Sequence, residues 1–263
     1  MTSTAVSKAV PPAAFSWSNP DYDAVFAARA QRLARIRATP EMLPAVRQYY
    51  AQAEHAADFI SDFGTIFEPR NAERRLPTTI PFVLFPKQVE WVSWALDLWQ
   101  RGLPGLTEKS RDCGCSTLAM ALSCWLCIFR QGIAVGVGSN KEAKIDNGFD
   151  PDTLMFKARM FLAGLPPELR GGFDPQRHSA HMRLHIPETD SSITGEAGDN
   201  IGRGGRKAIY WIDESAHLDR PKLIEASMAS CTNCRQDISS VSGLANPFAE
   251  KRHSGRVSVF TFS

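Results

Sequence analysis

The stretch Ala208-Ile209-Tyr210-Trp211-Ile212 is apolar without a break and runs straight into Asp213-Glu214. A strand with one face in water alternates apolar and polar residues, because successive side chains point to opposite faces. An unbroken apolar run has both faces covered, the condition of a strand inside a parallel sheet packed between helices. The rest of the chain has a matching texture. Helical patterns at 86–100, 116–130 and 152–163 are interspersed with strand-like segments at 133–137, 182–186, 238–241 and 256–262. This alternation predicts an α/β fold with a mainly parallel sheet sandwiched by helices. Pro104 argues against a strand over 102–107, since it removes a ladder donor. With 263 residues there is room for one such domain of full size.

Residues 1–17 are small, Pro-containing and unpatterned, and are expected to be disordered. Asn19-Pro20, a cap residue followed by proline at the first helical position, opens a helix to about Arg37, and Thr39-Pro40 opens a second to about Ile60. A Pro- and Arg-rich linker, 68–81, leads into Phe82-Val83-Leu84-Phe85. The expected organisation is a disordered start at 1–17, a helical N-terminal extension with linker at 18–80, and the α/β core at 81–263. Arg29, Arg32, Arg35 and Arg37 fit one face of the first helix, either solvated or in contact with DNA or a partner.

Lys plus Arg number 30 against 28 Asp plus Glu, a net charge of +2. That excludes a histone-like binder held to nucleic acid by bulk charge and leaves any DNA contact to local patches. The longest apolar run, 118–129, is too short to span a bilayer. The N-terminus holds no continuous signal-peptide core, so a cytoplasmic protein is expected. Of the six cysteines, Cys124/Cys127 and Cys231/Cys234 are spaced C-x-x-C. The first pair lies inside the apolar run, where i,i+3 spacing on a helix places small buried thiols together, and the gap to the second far exceeds that of a compact zinc ribbon.

Residue chemistry concentrates around two stretches. Lys109-Ser110-Arg111-Asp112-Cys113-Gly114-Cys115-Ser116-Thr117 does not match the general phosphate-loop pattern G-x-x-x-x-G-K-[ST], but Gly114 and Ser116 fall on template positions. A phosphate loop needs backbone N–H groups around the phosphates, a cation on their oxygens and a hydroxyl on Mg²⁺ at a helix N-terminus. Lys109, moved to the front of the loop, and Arg111 are the candidate cations; Ser116 is the candidate hydroxyl. Asp213-Glu214 closes its strand where a parallel sheet binds ligands. There the first acid can hold the Mg²⁺ shell and the second can activate the attacking water. The Gly-rich stretch 195–206 reads as a flexible loop whose Arg203 and Arg206 can act as arginine fingers, within the subunit or across an interface. Ser242 and Gly243, in a small polar turn after a later strand, can sense the γ-phosphate. Gln88 can read an adenine edge, with an aromatic such as Phe85 stacked on its face. Trp91, Trp94 and Trp99 are expected in the core or at an interface.

Taken in order, Leu84-Phe85-Pro86-Lys87-Gln88, the deviant loop 108–116, Gly202-Arg203-Gly204-Gly205-Arg206 and Ile209-Tyr210-Trp211-Ile212-Asp213-Glu214-Ser215-Ala216 resemble the N-terminal ATPase domain of the large subunit of tailed-phage terminases. The segment from Asp62-Phe63 to Glu68-Pro69-Arg70 adds to the likeness, which covers about residue 20 to the end. The lysine shifted to the front of the loop is a habit of that family. The resemblance implies a P-loop NTPase fold of the ASCE type, hydrolysis of ATP with Mg²⁺, and translocation of double-stranded viral DNA into a procapsid. It places Lys109 and Arg111 on the phosphates within the loop 109–117, Ser116 and Asp213 on the metal, Glu214 as the catalytic acid, Gln88 at the adenine and Ser242 with Gly243 in the coupling motif. It further implies a homo-oligomeric ring on a portal protein, a small terminase subunit that delivers DNA, and the host cytoplasm as the place of action, without a membrane. The family's nuclease domain is expected to be absent, and nuclease activity is not expected from this chain. Two other readings stand beside this one: a zinc-stapled, non-catalytic DNA-binding or scaffold module, and a helicase-like ATPase.

Overall fold

The structure, a computed structural model, describes residues 15–110, 112–243 and 246–262. Helices α1 (Tyr22–Ala38), α2 (Leu43–Tyr50) and α3 (Ala56–Phe63) come first. Asp21, not Asn19, caps α1: its carboxylate accepts the backbone N–H of Ala24. The helix predicted from Thr39-Pro40 begins as a 3₁₀ turn at Pro40–Met42 and is broken once, by another at Ala53–His55. The predicted linker begins and ends in structure, since β1 (Thr65–Phe67) pairs antiparallel with β2 (Thr79–Pro81).

The remainder runs α4 (Pro86–Arg101), β3 (Gly105–Lys109), α5 (Cys115–Phe129), β4 (Ala134–Ser139), α6 (Glu142–Ile145), α7 (Leu154–Gly164), β5 (Ser179–Ala180), β6 (Arg183–Ile186), β7 (Ser191–Ala197), β8 (Ile209–Asp213), α8 (Pro221–Cys231), β9 (Arg235–Ser239), α9 (Pro247–His253) and β10 (Ser258–Phe262). One sheet takes the order β10-β3-β9-β8-β4-β7-β6-β5. Strands β10 to β7 in that order are mutually parallel, and β6 and β5 continue the edge antiparallel. Pro104 sits just before β3 rather than within it, so the strand keeps its ladder. Gly105 opens β3 because a Cβ there would lie 2.3 Å from Gln236 Oε1 and 2.6 Å from Leu98 Cδ1.

The unbroken apolar run behaves as its pattern requires. Ile209 and Trp211 of β8 join the core shared with α4, α5 and α7, while Tyr210 and Ile212 belong to a second cluster with Ile224, Met228 and Cys231 of α8. Trp91 of α4 lies over Trp211 at 5.5 Å between ring centroids and is fully buried. Trp94 packs on Phe260 of β10, and Trp99 takes the Arg130 guanidinium on its ring. Strand β7 and helix α8 had no apolar pattern to betray them. Ser191-Ser192-Ile193-Thr194-Gly195-Glu196-Ala197 is mostly polar, yet it pairs along its length with β4, so 195–197 belong to the sheet and not to a flexible loop.

Candidate nucleotide site

All six parallel strands end at the same edge, and the chemistry collects there. Lys109 is the last residue of β3, and the turn after it feeds α5. The turn needs left-handed backbone at Asp112 (φ +65°) and at Gly114 (φ +70°), the residue before α5. Gly114 meets that requirement without strain. Arg111 lies outside the described residues. Strand β9 separates β3 from β8, but Asp213 and Glu214 still reach the loop. Ser116, in the first turn of α5, donates its hydroxyl to Asp213 Oδ1 at 2.9 Å. The Lys109 ammonium donates to Glu214 Oε1, also at 2.9 Å. The loop and the acid pair, 97 to 105 residues apart in sequence, thus form one site.

Electrostatics there is tightly balanced. Burial and the neighbouring Glu214 push the Asp213 carboxyl up, against the pull of Lys109 and the Ser116 hydroxyl. Burial works against the Lys109 ammonium, but Asp213 and the bond to Glu214 outweigh it and hold it above the ordinary lysine value. Glu214 adopts left-handed backbone (φ +54°), rare for a residue with a Cβ, and this turns its side chain off the strand axis. The turn behind it is pinned where the Ala216 N–H donates to Ser239 Oγ at the end of β9.

A hard divalent cation fits this corner. The Ser116 hydroxyl and Asp213 carboxylate are oxygen donors of the kind Mg²⁺ selects. Buried hydroxyls at Ser139, which ends β4, and at Ser215, just past Glu214, find no hydrogen-bond partner among the described residues. Ser139 follows Gly138, which pairs with Ile212, and on this sheet face it stands beside Asp213. Nothing in the sequence around Ser139 points to that role; it becomes visible only when β4 is placed next to β8.

A cleft of about 770 Å³ opens from the loop, walled by Phe15, Trp17, Phe85, Thr117, Phe156 and Lys157 among others. Phe85 is 40% exposed, with Trp17 at 5.2 Å, so an aromatic surface borders the cleft. Gln88 is placed differently from its predicted base-reading role. Its Oε1 accepts the Phe85 N–H and its Nε2 donates to the Cys113 carbonyl, so the buried amide ties the start of α4 to the turn before α5. Ser110, Cys113 and Cys115 lie in the loop as predicted, with Cys115 buried at the first position of α5. Asp112 is exposed and pairs with Arg70.

Arg203 and Arg206 are not brought to these groups. Together with Ser227 and Ser230 they line a separate depression of about 310 Å³ on the α8 side of the sheet. The Lys207 N–H bonds to Cys231, at the end of α8, so Arg206 sits where β8 begins, while Asp213 sits where it ends. At about 3.3 Å per residue the two are roughly 20 Å apart, beyond the reach of an arginine side chain. As an arginine finger within the subunit, Arg206 is therefore out of reach of its own acid pair. The 202–204 backbone is held by Glu196, which accepts from Gly202 N and Gly204 N. Ser242 and Gly243 emerge at the correct edge but are exposed, and their carbonyls accept from Asn246 Nδ2. The buried hydroxyl that touches the acid turn belongs to Ser239. Cys124 and Cys127 are fully buried within α5, packed in the core as predicted. No helix among the described residues is long and apolar enough to cross a membrane.

The sequence matches no protein-family model and no curated protein. Among solved structures, the large terminase of bacteriophage HK97 superposes with a TM-score of 0.58 at 15% identity, over 81% of this chain and 44% of that one. The large terminase of a thermophilic bacteriophage, in complex with ADP, gives 0.46 at 15% identity over 68% and 46%. The Sulfolobus solfataricus SWI2/SNF2 ATPase core in complex with dsDNA gives 0.41 at 12% over 67% and 44%. The likeness to the HK97 protein shows the fold, a mainly parallel sheet flanked by helices. The chain spans less than half the length of these structures.

Proposed function

We propose that the chain is the ATPase motor of a phage terminase large subunit, hydrolysing ATP with Mg²⁺ to translocate double-stranded DNA into a procapsid. The observation that carries this reading is the convergence of Lys109, Ser116, Asp213 and Glu214 at one sheet edge, joined by two hydrogen bonds of 2.9 Å. On this reading the loop N–H groups and Lys109 hold the phosphates at the start of α5, where the helix dipole favours negative charge. Ser116 and Asp213 hold Mg²⁺, which neutralises charge building on the phosphate oxygens. Glu214 orients the attacking water and takes its proton. With the phosphates engaging Lys109, Glu214 loses its lysine partner and is freed for that task, so the Lys109–Glu214 pair is the resting arrangement.

Arg203 and Arg206, which line a depression apart from their own acid pair, act on a neighbouring subunit's nucleotide in a homo-oligomeric ring, seated on a portal protein and supplied by a small terminase subunit. Glu214→Gln is expected to keep ATP binding while turnover falls by orders of magnitude; unchanged turnover would sink the assignment. Stimulation by portal and procapsid rather than by single-stranded DNA separates the packaging motor from a helicase-like ATPase.

A further inference from the structure

We propose that Lys157, on the first turn of α7, is a second phosphate-binding cation of this site, facing the nucleotide from the wall opposite the loop. The inference rests on the nucleotide-site reading above and names a group that the sequence did not single out. Lys157 lines the cleft alongside Gly114 and Thr117, the residues on either side of the α5 N-terminus. Its ammonium donates to the backbone carbonyl of Asp152, at 2.5 Å, and no carboxylate among the described residues forms an ion pair with it.

Among the described residues, the other cations around the cleft are accounted for. Lys109 is bonded to Glu214, Arg70 is bonded to Glu68 and Asp112, and Arg74 is out in solvent. Lys157 is half-buried, and its burial holds it below the ordinary lysine value despite the pull of Asp213. The position is also unfavourable for a cation on general grounds, because the N-terminal turn of a helix is its positive end. A half-buried ammonium with no ion-pair partner among the described residues, on the wrong end of a helix, contributes little to the fold. It is well placed to gain a charge-assisted bond once an anion enters the cleft. The anion that the adjoining loop is shaped to hold is the polyphosphate of a nucleotide.

The test compares Lys157→Gln, Lys157→Arg and Lys109→Ala with the unaltered protein by calorimetric binding of ATP, inorganic pyrophosphate and adenosine, and by ligand-free melting. Lys157→Gln is expected to weaken ATP and pyrophosphate by roughly 10- to 100-fold, the worth of one hydrogen bond to a charged group. Adenosine binding should be unchanged, Lys157→Arg should restore most of the loss, and the ligand-free Gln variant should melt no lower than its parent. Unaltered ATP affinity in Lys157→Gln, alongside a loss in Lys109→Ala, would overturn the inference and leave the nucleotide site standing. Equal weakening of adenosine, or a lower ligand-free melting point, would make Lys157 a structural residue and also overturn it. Failure of the unaltered protein to bind ATP or pyrophosphate would remove the nucleotide-site reading itself, and the inference with it.

Discussion

At the scale of single residues, the turn between β3 and α5 carries a thiol set apart from the other described cysteines. The Cys113 thiol is lowered to about 7, chiefly by a hydrogen bond from Cys115, whereas burial pushes Cys115, Cys124 and Cys127 up and Cys234 to about 11. Because the thiolate is the reactive form, N-ethylmaleimide at neutral pH should modify Cys113 first, as peptide mapping would show, and ATP should slow the reaction. Faster labelling at any other described cysteine would contradict the loop geometry. The same scale shows what sequence can and cannot reveal. Asp213 and Glu214 stood out because an apolar strand ends on them, and Lys109 with Ser116 because a helix start follows a basic turn. Ser139, Ser239 and Lys157 carried no such mark: a serine at a strand end or a lysine on a helix is ordinary until a neighbouring element gives it something to face.

At the scale of elements, the sheet is held by side chains that leave no room for change. Gly136 of β4 lies against Tyr210 of β8, and a Cβ there would sit 2.2 Å from the Tyr210 ring. Tyr210 is itself held by its bond to Glu196 of β7, so it has little freedom to yield. Gly136→Ala is expected to cost about 1–3 kcal/mol by overpacking, read as a lower midpoint in urea unfolding; an unchanged midpoint would mean the two strands separate more easily than their packing implies. Element boundaries were legible where periodicity was strong. Helices α4 and α5 fall within a residue or so of their predicted ends, because each carries a continuous buried face. Strand β7 escaped notice because it is stabilised by main-chain pairing to β4, which leaves no side-chain signature, and α8 because only Ile224, Met228 and Cys231 of its residues are buried.

At the scale of the whole molecule, an ionic network fastens the helices on either side of β9. Glu225 of α8, Arg235 and Asp237 of β9, and Lys251 of α9 are linked by contacts of 2.7–2.9 Å. Burial alone would raise the Asp237 carboxyl, but Arg235 and Lys251 outweigh it and bring it below its ordinary 3.8. A depressed folded-state value means that the stabilisation is complete above the unfolded value and is lost as pH falls through the folded one. Asp237→Asn is therefore expected to cost about 3 kcal/mol at neutral pH. The gap to the unaltered protein should close only below about pH 4; a gap that persisted in strong acid would assign the loss to packing instead. Sequence by itself determined that the chain builds a parallel sheet buried on both faces, and that an acid pair closes one of its strands. Both follow from the side-chain period of a strand, which is local. Tertiary structure alone decided which groups the acids meet. Inserting β9 between β3 and β8, and setting β4 beside β8, puts Ser116, Lys109 and Ser139 around Asp213 and Glu214 and sends Arg206 to the opposite end of the sheet. That strand order is not sequential, and it depends on how helices from distant parts of the chain pack over both faces.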